Sequence, residues 1–370
     1  MYIELHSRSA FSFLEGASLP EKLVEVCANL GMPAIALLDR DGVYGSPRFH
    51  LAAAKAGIKA HIGAEVTCNA SSPQSHRVTE KTQNTDVVEI AKSVQCHPER
   101  SRTMREANRP AESKDPYSSQ RIQRDSVGEG ANFQSRLPLL VASRAGYQNL
   151  CRLITKTKLR AGQKEGAFAE GQDFLEHAEG LICLTGGDEG PLAQALTHGG
   201  PQAALQSVQR LTEIFGRENV FVELQRHFHR DEEYRNRVAI EIAHTLGLPL
   251  LATNGVNYAT SHERELADAF TALHHHRTLA TAGRLLSRNS ERHLKSAADM
   301  RALFADLPEA IANTLALSAR LEFTLDDLGY EFPRYPVPEG ETMMSFLRER
   351  THEGFQSHYG RASSELKNRA

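Results

Sequence analysis

Seven short apolar runs, most of them separated by stretches of helical periodicity, constrain this 370-residue chain more than any other feature. Residues 2–5 alternate as a strand. Residues 33–38 (PAIALL), 59–66, 137–142, 180–185 (GLICLT), 219–224 (NVFVEL) and 249–253 (PLLAT) read as short strands buried on both faces. Helical patterns cover 19–30, 47–56, 146–156, 191–196, 201–215 and 230–246, and Ser18 with Glu21 three positions on reads as a capping box. Repeated strand–helix units favour a β/α barrel, with a doubly wound open sheet as the alternative, because periodicity does not prove closure.

In a closed parallel barrel, chemistry belongs to the face formed by the C-terminal ends of the strands. The polar residues of this chain gather at those ends. His6 leads the cluster in residues 2–16 (YIELHSRSAFSFLEG), Asp39-Arg40-Asp41 follows the second run, Glu65 closes the third, His227 follows the sixth, and a loop at 254–257 follows the seventh. Imidazoles with carboxylates are the ligand set of zinc or manganese in a phosphoesterase. Taken singly, each of these residues is more often a hydrogen-bonded loop anchor. His274, His275 and His276 are consecutive on a helical pattern, point to different sides and do not share a metal.

Composition enters where the pattern fails. Residues 69–136 are dominated by Ser, Gln, Arg, Glu, Asn and Pro and read as a disordered insertion, since they bury too little apolar surface to offset the entropy of ordering. The net charge of −3 is neutral on nucleic-acid binding, and the basic runs at 97–105 and 121–124 read as solvated loop charge. Five cysteines without CxxC spacing, and no apolar leader, point to a reducing cytoplasm. No window approaches the ~18 apolar residues of a membrane span. Beyond 261 the pattern is helical, at 263–273, 297–304 and 307–321. Asp326-Asp327 reads as a turn, 333–338 (PRYPVP) as an extended linker, and 340–355 as a further helix.

Residues 2–16, 34–65, 146–154, 180–192, 223–227, 252–258 and 289–320 together resemble the N-terminal part of bacterial DNA polymerases of the polymerase III alpha-subunit type. The wording ELHSRSAFSFLEGAS, ERHLKSAADMRALF and PVPEGETMMSFLRERT is most similar to the error-prone branch. The resemblance implies a polymerase-and-histidinol-phosphatase (PHP) domain, a distorted seven-stranded β/α barrel. Its first part is expected at 1–68 and its second at 137–260, either side of the insertion at 69–136. A mostly helical connector and the incomplete start of a polymerase palm region are expected at 261–370. It further implies DNA-directed DNA synthesis in replication and lesion bypass, Mg2+ for the full polymerase, and primer-template DNA, dNTPs, a sliding clamp and other lesion-bypass proteins as partners, with no membrane.

The family's metal-site pattern carries over only in part. His6, Asp39, Glu65 and His227 remain as residual positions. Arg8 replaces the second histidine of His-x-His, Arg40 the histidine that follows the aspartate, and Gly255 and Asn257 the two ligands of a final Asp-x-His. A guanidinium cannot ligate a cation, so Arg8 and Arg40 argue against Zn2+ or Mn2+ and for ion pairs with Asp39, Asp41 and Glu65. The aspartates that hold Mg2+ in a polymerase palm are not found in this chain, so no catalytic residue is assigned and no primer extension is expected from it alone. Two alternatives stand beside the polymerase reading: a free-standing PHP-type phosphoesterase or 3′-5′ exonuclease, and a non-catalytic interaction scaffold.

Overall fold

The computed structural model describes residues 1–70, 133–162, 166–328 and 335–359. It is a mixed α/β structure with one six-stranded sheet in the order β1-β2-β3-β4-β5-β6. The strands are β1 (Ala34–Arg40), β2 (Lys59–Ala70), β3 (Phe133–Val141), β4 (Leu181–Leu184), β5 (Val220–Leu224) and β6 (Leu250–Ala252). Helices α1 (Pro20–Asn29), α2 (Ser46–Ala56), α3 (Arg144–Ala161), α4 (Gly171–His177), α5 (Pro191–Phe215) and α6 (Arg230–Leu246) fall among them. The two helical patterns at 191–196 and 201–215 are one run, α5, kinked where Gly200 takes φ 74° ahead of Pro201. Both residues interrupt a helix for different reasons, conformational freedom and a missing N–H.

The seventh expected strand is not a regular one. Residues 2–7 lie beside β1 and also beside the chain after β6, making only isolated bridges, Glu4 with Ile35 and Ser7 with Val256. Ala36 N–H donates to the Glu4 carbonyl and Leu38 N–H to the Ser7 carbonyl. Two residues of β1 therefore match three of the N-terminal segment, which is a bulge. The extra residue frees the His6 carbonyl to accept from Val256 N–H at 2.9 Å. It also changes which side chains face inward. Ile3 and Leu5 join the core before the bulge, and His6 turns to the same side after it.

The second departure is direction. β1 and β2 are parallel, as are β4 with β5 and β5 with β6, but β3 is antiparallel to both its neighbours. An antiparallel strand needs no crossover helix, and the connection from β2 to β3 is the stretch read as an insertion. Residues 71–132 lie outside the described residues, so that expectation is not met by any observation. Its flanks are strand, however: Asn69 pairs with Gln134 and Ala70 with Phe133. The expected boundaries at 68/69 and 136/137 fall within these paired strands. Reversal also brings the beginning of β3, with Arg136, to the end of the sheet where β1, β2 and β5 finish.

The interior is filled by Ile3, Leu5, Ala36, Leu38, Leu140, Ile182, Leu184, Phe221 and Leu251 from the sheet, with Leu317 and Leu321. Leu317 belongs to α10 (Pro308–Arg320) and Leu321 follows it. Each fully buried leucine contributes roughly 1.5–3 kcal/mol. Ser318 on α10 also bonds the buried His61 of β2, Oγ to Nε2 at 2.7 Å. The helices α7 (Arg264–His274), α8 (Leu279–Ala282), α9 (Ala297–Leu303) and α10 thus belong to the same compact unit, Met1–Asp327, as the sheet. By contacts the second unit is Leu328–Ala370, whereas the connector expected from 261 includes α10, which supplies part of the core. Asp326 and Asp327 lie in a short 3-10 turn, Leu325–Leu328. In the second unit, α11 (Met343–Tyr359) is helical and Tyr335 stacks on Phe346 with ring centroids 5.9 Å apart. Of the expected linker, 335–338 carries no regular structure and 333–334 lie outside the described residues.

The expected capping box at Ser18 does not form. The N-cap of α1 is Leu19, the Ser18 hydroxyl accepts from Ala259 N–H at 2.7 Å, and Glu21 pairs with Arg48. Tertiary partners took both side chains. Among the described residues no helix is long and apolar enough to cross a membrane.

Candidate functional site

His6 is the centre of the cluster at the strand ends. The bulge directs its ring between two carboxylates on separate strands, Glu65 of β2 and Glu223 of β5. Nε2 lies 2.5 Å from Glu65 Oε1 and Nδ1 lies 2.6 Å from Glu223 Oε1. Burial alone would suppress the imidazolium charge, but Glu223 and Glu65 outweigh it and push the pKa up to about 10. Both ring nitrogens are therefore donors at neutral pH. Burial also opposes ionisation of the two carboxylates, yet Arg8 with His6 holds Glu65 well below the usual range, and His6 with the Thr253 and Gln225 donors holds Glu223 below it.

A ring of guanidiniums surrounds this triplet. Arg8 Nε donates to Glu65 Oε2 at 2.7 Å, and its outer nitrogens reach Glu189 and Glu15. Arg136 grips Glu15 with both terminal nitrogens, at 2.5 and 2.8 Å, and touches Glu189 at 3.2 Å. Arg292 Nη2 donates to Asp188 at 2.8 Å. Arg8, Arg136 and Arg292 line one small cavity together with His6, Glu65, Gly255 and Asn257, leaving space for about a single water.

Two glycines at this mouth lie against one side chain. Gly187 and Gly255 sandwich the Gln225 amide: a Cβ on Gly187 would lie 2.3 Å from its Oε1, and one on Gly255 2.5 Å from its Nε2. Gly255 also has φ 54°, which an L side chain adopts only under strain. A side chain at 255 would have to push the Gln225 amide aside.

Of the residues singled out in the sequence, His6 and Glu65 meet as anticipated, with Arg8 upon Glu65. Gly255 and Asn257 line the same cavity. Among the described residues Asp39 pairs with no arginine: it accepts from Ser9 N–H, Ser9 Oγ and Ser12 Oγ, each at 2.9 Å, and so anchors the loop after the bulge. Arg40 pairs with Glu15 and, at 3.4 Å, Asp41. The expected pairing of Asp39 with Arg8 or Arg40 is thus corrected. His227 does not join His6 and Glu65. Its Nδ1 faces Glu232 at 2.6 Å and its Nε2 the Asn254 carbonyl at 2.8 Å, so both ring nitrogens are turned to other partners and the residue does not line the cavity.

Sequence reading missed Glu15, Arg136, Asp188, Glu189, Glu223 and Arg292. Glu223 alone left a signal, a charge inside the apolar run NVFVEL. Arg136 was hidden in the polar stretch assigned to the insertion, and Arg292 in a region read as connector.

Comparison with known proteins follows the geometry. The PHP domain family matches residues 4–227. An error-prone DNA polymerase of Nocardia farcinica (strain IFM 10152) is 36% identical over 97% of this chain, and a DNA polymerase III subunit alpha of Treponema pallidum (strain Nichols) is 27% identical over 100% of it. The chain spans 30% of the first relative's length and 27% of the second's. A solved amidohydrolase from Chromobacterium violaceum aligns with 70% of this chain and 88% of its own, at 12% identity and a TM-score of 0.40.

Proposed function

The chain belongs to the PHP domain family, and from that premise we propose that it is the barrel portion of an error-prone DNA polymerase whose metal seat has become a closed ion-pair cluster. The observation that carries this reading is His6, held charged between Glu65 and Glu223. The zinc- or manganese-type site of such a barrel needs neutral imidazoles and free carboxylate oxygens. The residues present do not fit that requirement. Both nitrogens of His6 donate, Arg8 occupies the second oxygen of Glu65, His227 is committed elsewhere, and a side chain at residue 255 would be strained by its positive φ and would have to displace the Gln225 amide. Among the described residues Glu223 Oε2 has no hydrogen-bond partner, but the groups bound to its sister oxygen, His6, Gln225 and Thr253, are donors rather than further ligands. Among the described residues no three His, Cys, Asp or Glu side chains are arranged to hold a metal ion.

In this reading, residues 2–7 are the seventh stave of a distorted barrel, and 261–370 leads toward a polymerase region. Nucleotidyl transfer with Mg2+ depends on palm aspartates that this chain does not supply. Primer-template DNA, dNTPs, a sliding clamp and lesion-bypass proteins are partners of the full-length polymerase in the cytoplasm, in replication and translesion synthesis. The names of the relatives support DNA synthesis as the setting.

Two assays test the proposal. Metal analysis of the purified chain is expected to find no stoichiometric zinc or manganese, with no phosphoester hydrolysis. A template-dependent extension assay is expected to give background incorporation. Stoichiometric metal with hydrolysis would favour the free-standing phosphoesterase, and incorporation above background would overturn inactivity of the chain alone.

A further inference from the structure

Helix α7 carries its amphipathicity inverted. At 3.6 residues per turn, Arg264, Ala267, Asp268, Thr271 and Ala272 share one face, and Leu266, Ala269, Phe270 and Leu273 share the opposite one. The polar face is the one turned inward: Ala267 and Ala272 are buried, Arg264 Nη2 donates to the Ser287 carbonyl at 2.7 Å, and Asp268 accepts from Ser287 N–H at 3.0 Å. Phe270 packs at the margin against Ala17, Tyr258 and Ala267. On the outward face, Leu266 and Leu273 are 43% and 61% exposed, two turns apart, with the half-buried Ala269 between them. Single exposed leucines are ordinary, but apolar residues at i, i+3, i+4 and i+7 are the pattern by which one helix seats another.

The charges at the two ends of the stripe specify the occupant. Glu265 lies at the N-terminal end and Arg277 in the turn just past the C-terminal end; both are exposed, and among the described residues neither has an ion-pair partner. Residues 269–290 contain no Asp or Glu, so the C-terminal end, with His274, His275, His276 and Arg277, is uniformly basic or neutral. A stripe that is acidic at one end and basic at the other complements a copy of itself turned end for end. A parallel copy would set like charges together.

We propose that α7 is the seat of a weak homodimer, packing antiparallel on α7 of a second copy across a two-fold axis near Ala269. Each Leu266 then meets Leu273 of the other copy, and each Glu265 meets the end that carries Arg277. The contact is isologous and closes on itself, so it yields a dimer and no longer assembly. Ala269 at the centre presents only a methyl group, which lets the two helix axes approach closely. An 11-residue helix spans only ~16 Å, and the pair buries less than the ~1,200 Å² of a standard interface, so the Kd is expected on the order of 10–100 µM.

The test is sedimentation equilibrium of the full chain over a concentration series spanning that Kd, with circular dichroism of each variant to confirm folding. Wild type is expected to show a reversible monomer–dimer equilibrium, and Leu273→Glu to weaken it by roughly tenfold or more. Glu265→Arg and Arg277→Glu, each alone, are expected to weaken it by roughly tenfold, because like charges then face each other at both ends. The two changes combined in one chain are expected to restore the wild-type Kd, and an equimolar mixture of the two single variants to form a heterodimer at least as tight. A chain that stays monomeric throughout the series overturns the proposal, and so does a dimer whose Kd is unchanged by Leu273→Glu. A dimer that Leu273→Glu weakens but that neither the combined variant nor the mixture recovers overturns the antiparallel pairing on which the proposal stands. Should Leu273→Glu fail to fold, the charge exchanges decide: recovery in the combined variant supports the dimer, and its absence overturns it.

Discussion

Arg136 holds Glu15 through both arms of its guanidinium, at 2.5 and 2.8 Å, across 121 positions of sequence. The pair joins the reversed strand β3 to the loop that follows the N-terminal bulge. Arg136→Ala strands Glu15 in a half-closed site with only Arg8 and Arg40 nearby, and is expected to cost about 2–3 kcal/mol in urea unfolding. Arg40→Ala, at a side chain 34% exposed, is expected to cost less than about 1 kcal/mol. Equal losses would mean that Arg136 is an ordinary surface partner.

Removing the imidazole is the harsher change. His6→Ala leaves Glu65 and Glu223 buried and facing each other without the cation between them, and a loss of about 3–5 kcal/mol is expected. Glu65 keeps Arg8 in this variant, so the unpaired charge falls mainly on Glu223. Urea denaturation of His6→Ala beside Glu223→Gln checks this, with the second variant expected to lose less.

The pH dependence follows from the same group. The His6 pKa rises from 6.5 to about 10 on folding, so its contribution is complete below about pH 6.5 and is lost as pH climbs through 10. Glu4, which burial pushes from 4.5 up to about 7, contributes in full below about pH 4.5 and less as pH passes 7. Glu65 and Glu223, held low, contribute above about pH 4.5 and lose that contribution in acid. Urea midpoints across pH should therefore fall on the alkaline side, and His6→Gln should flatten the limb between pH 7 and 10. An unchanged limb in that variant would assign it to other groups.

Gly255→Asp, which installs the acidic residue that the family resemblance implies for this position, is expected to destabilise by about 2–4 kcal/mol, from the positive φ and the Gln225 contact together. Adding Gln225→Ala should recover the steric part of that loss in a thermal melt. Metal analysis of the double variant should still find no bound ion, because Arg8 and the charged His6 persist.

Much of this architecture was legible in one dimension. Six of the strands announced themselves as short buried runs, and α6 began and ended where its pattern did, at Arg230 and Leu246. Direction was not legible, since alternation of apolar side chains is the same whichever way a strand runs; β3 shows this. The N-terminal strand was read as regular because Ile3 and Leu5 alternate, while the extra residue that follows is visible only in the spacing of its hydrogen bonds. At the site, His6, Arg8 and Glu65 were found because they follow apolar runs. Arg136 and Arg292 have the one-dimensional signature of surface arginines, and only the reversed strand and the returning loop bring them inward. Asp39 and His227 occupied the anticipated strand ends but took local partners, serines in one case and Glu232 in the other.

The slip of one residue between Glu4 and Ser7 separates two physical demands on a few consecutive residues. Upstream of it, Ile3 and Leu5 answer to packing volume; downstream, His6 and Arg8 answer to charge. A substitution such as a histidine-to-arginine exchange at position 8 can therefore remake the electrostatics of the mouth while Ile3 and Leu5 keep their places, which is a physical route by which a barrel sheds one chemistry without losing its shape.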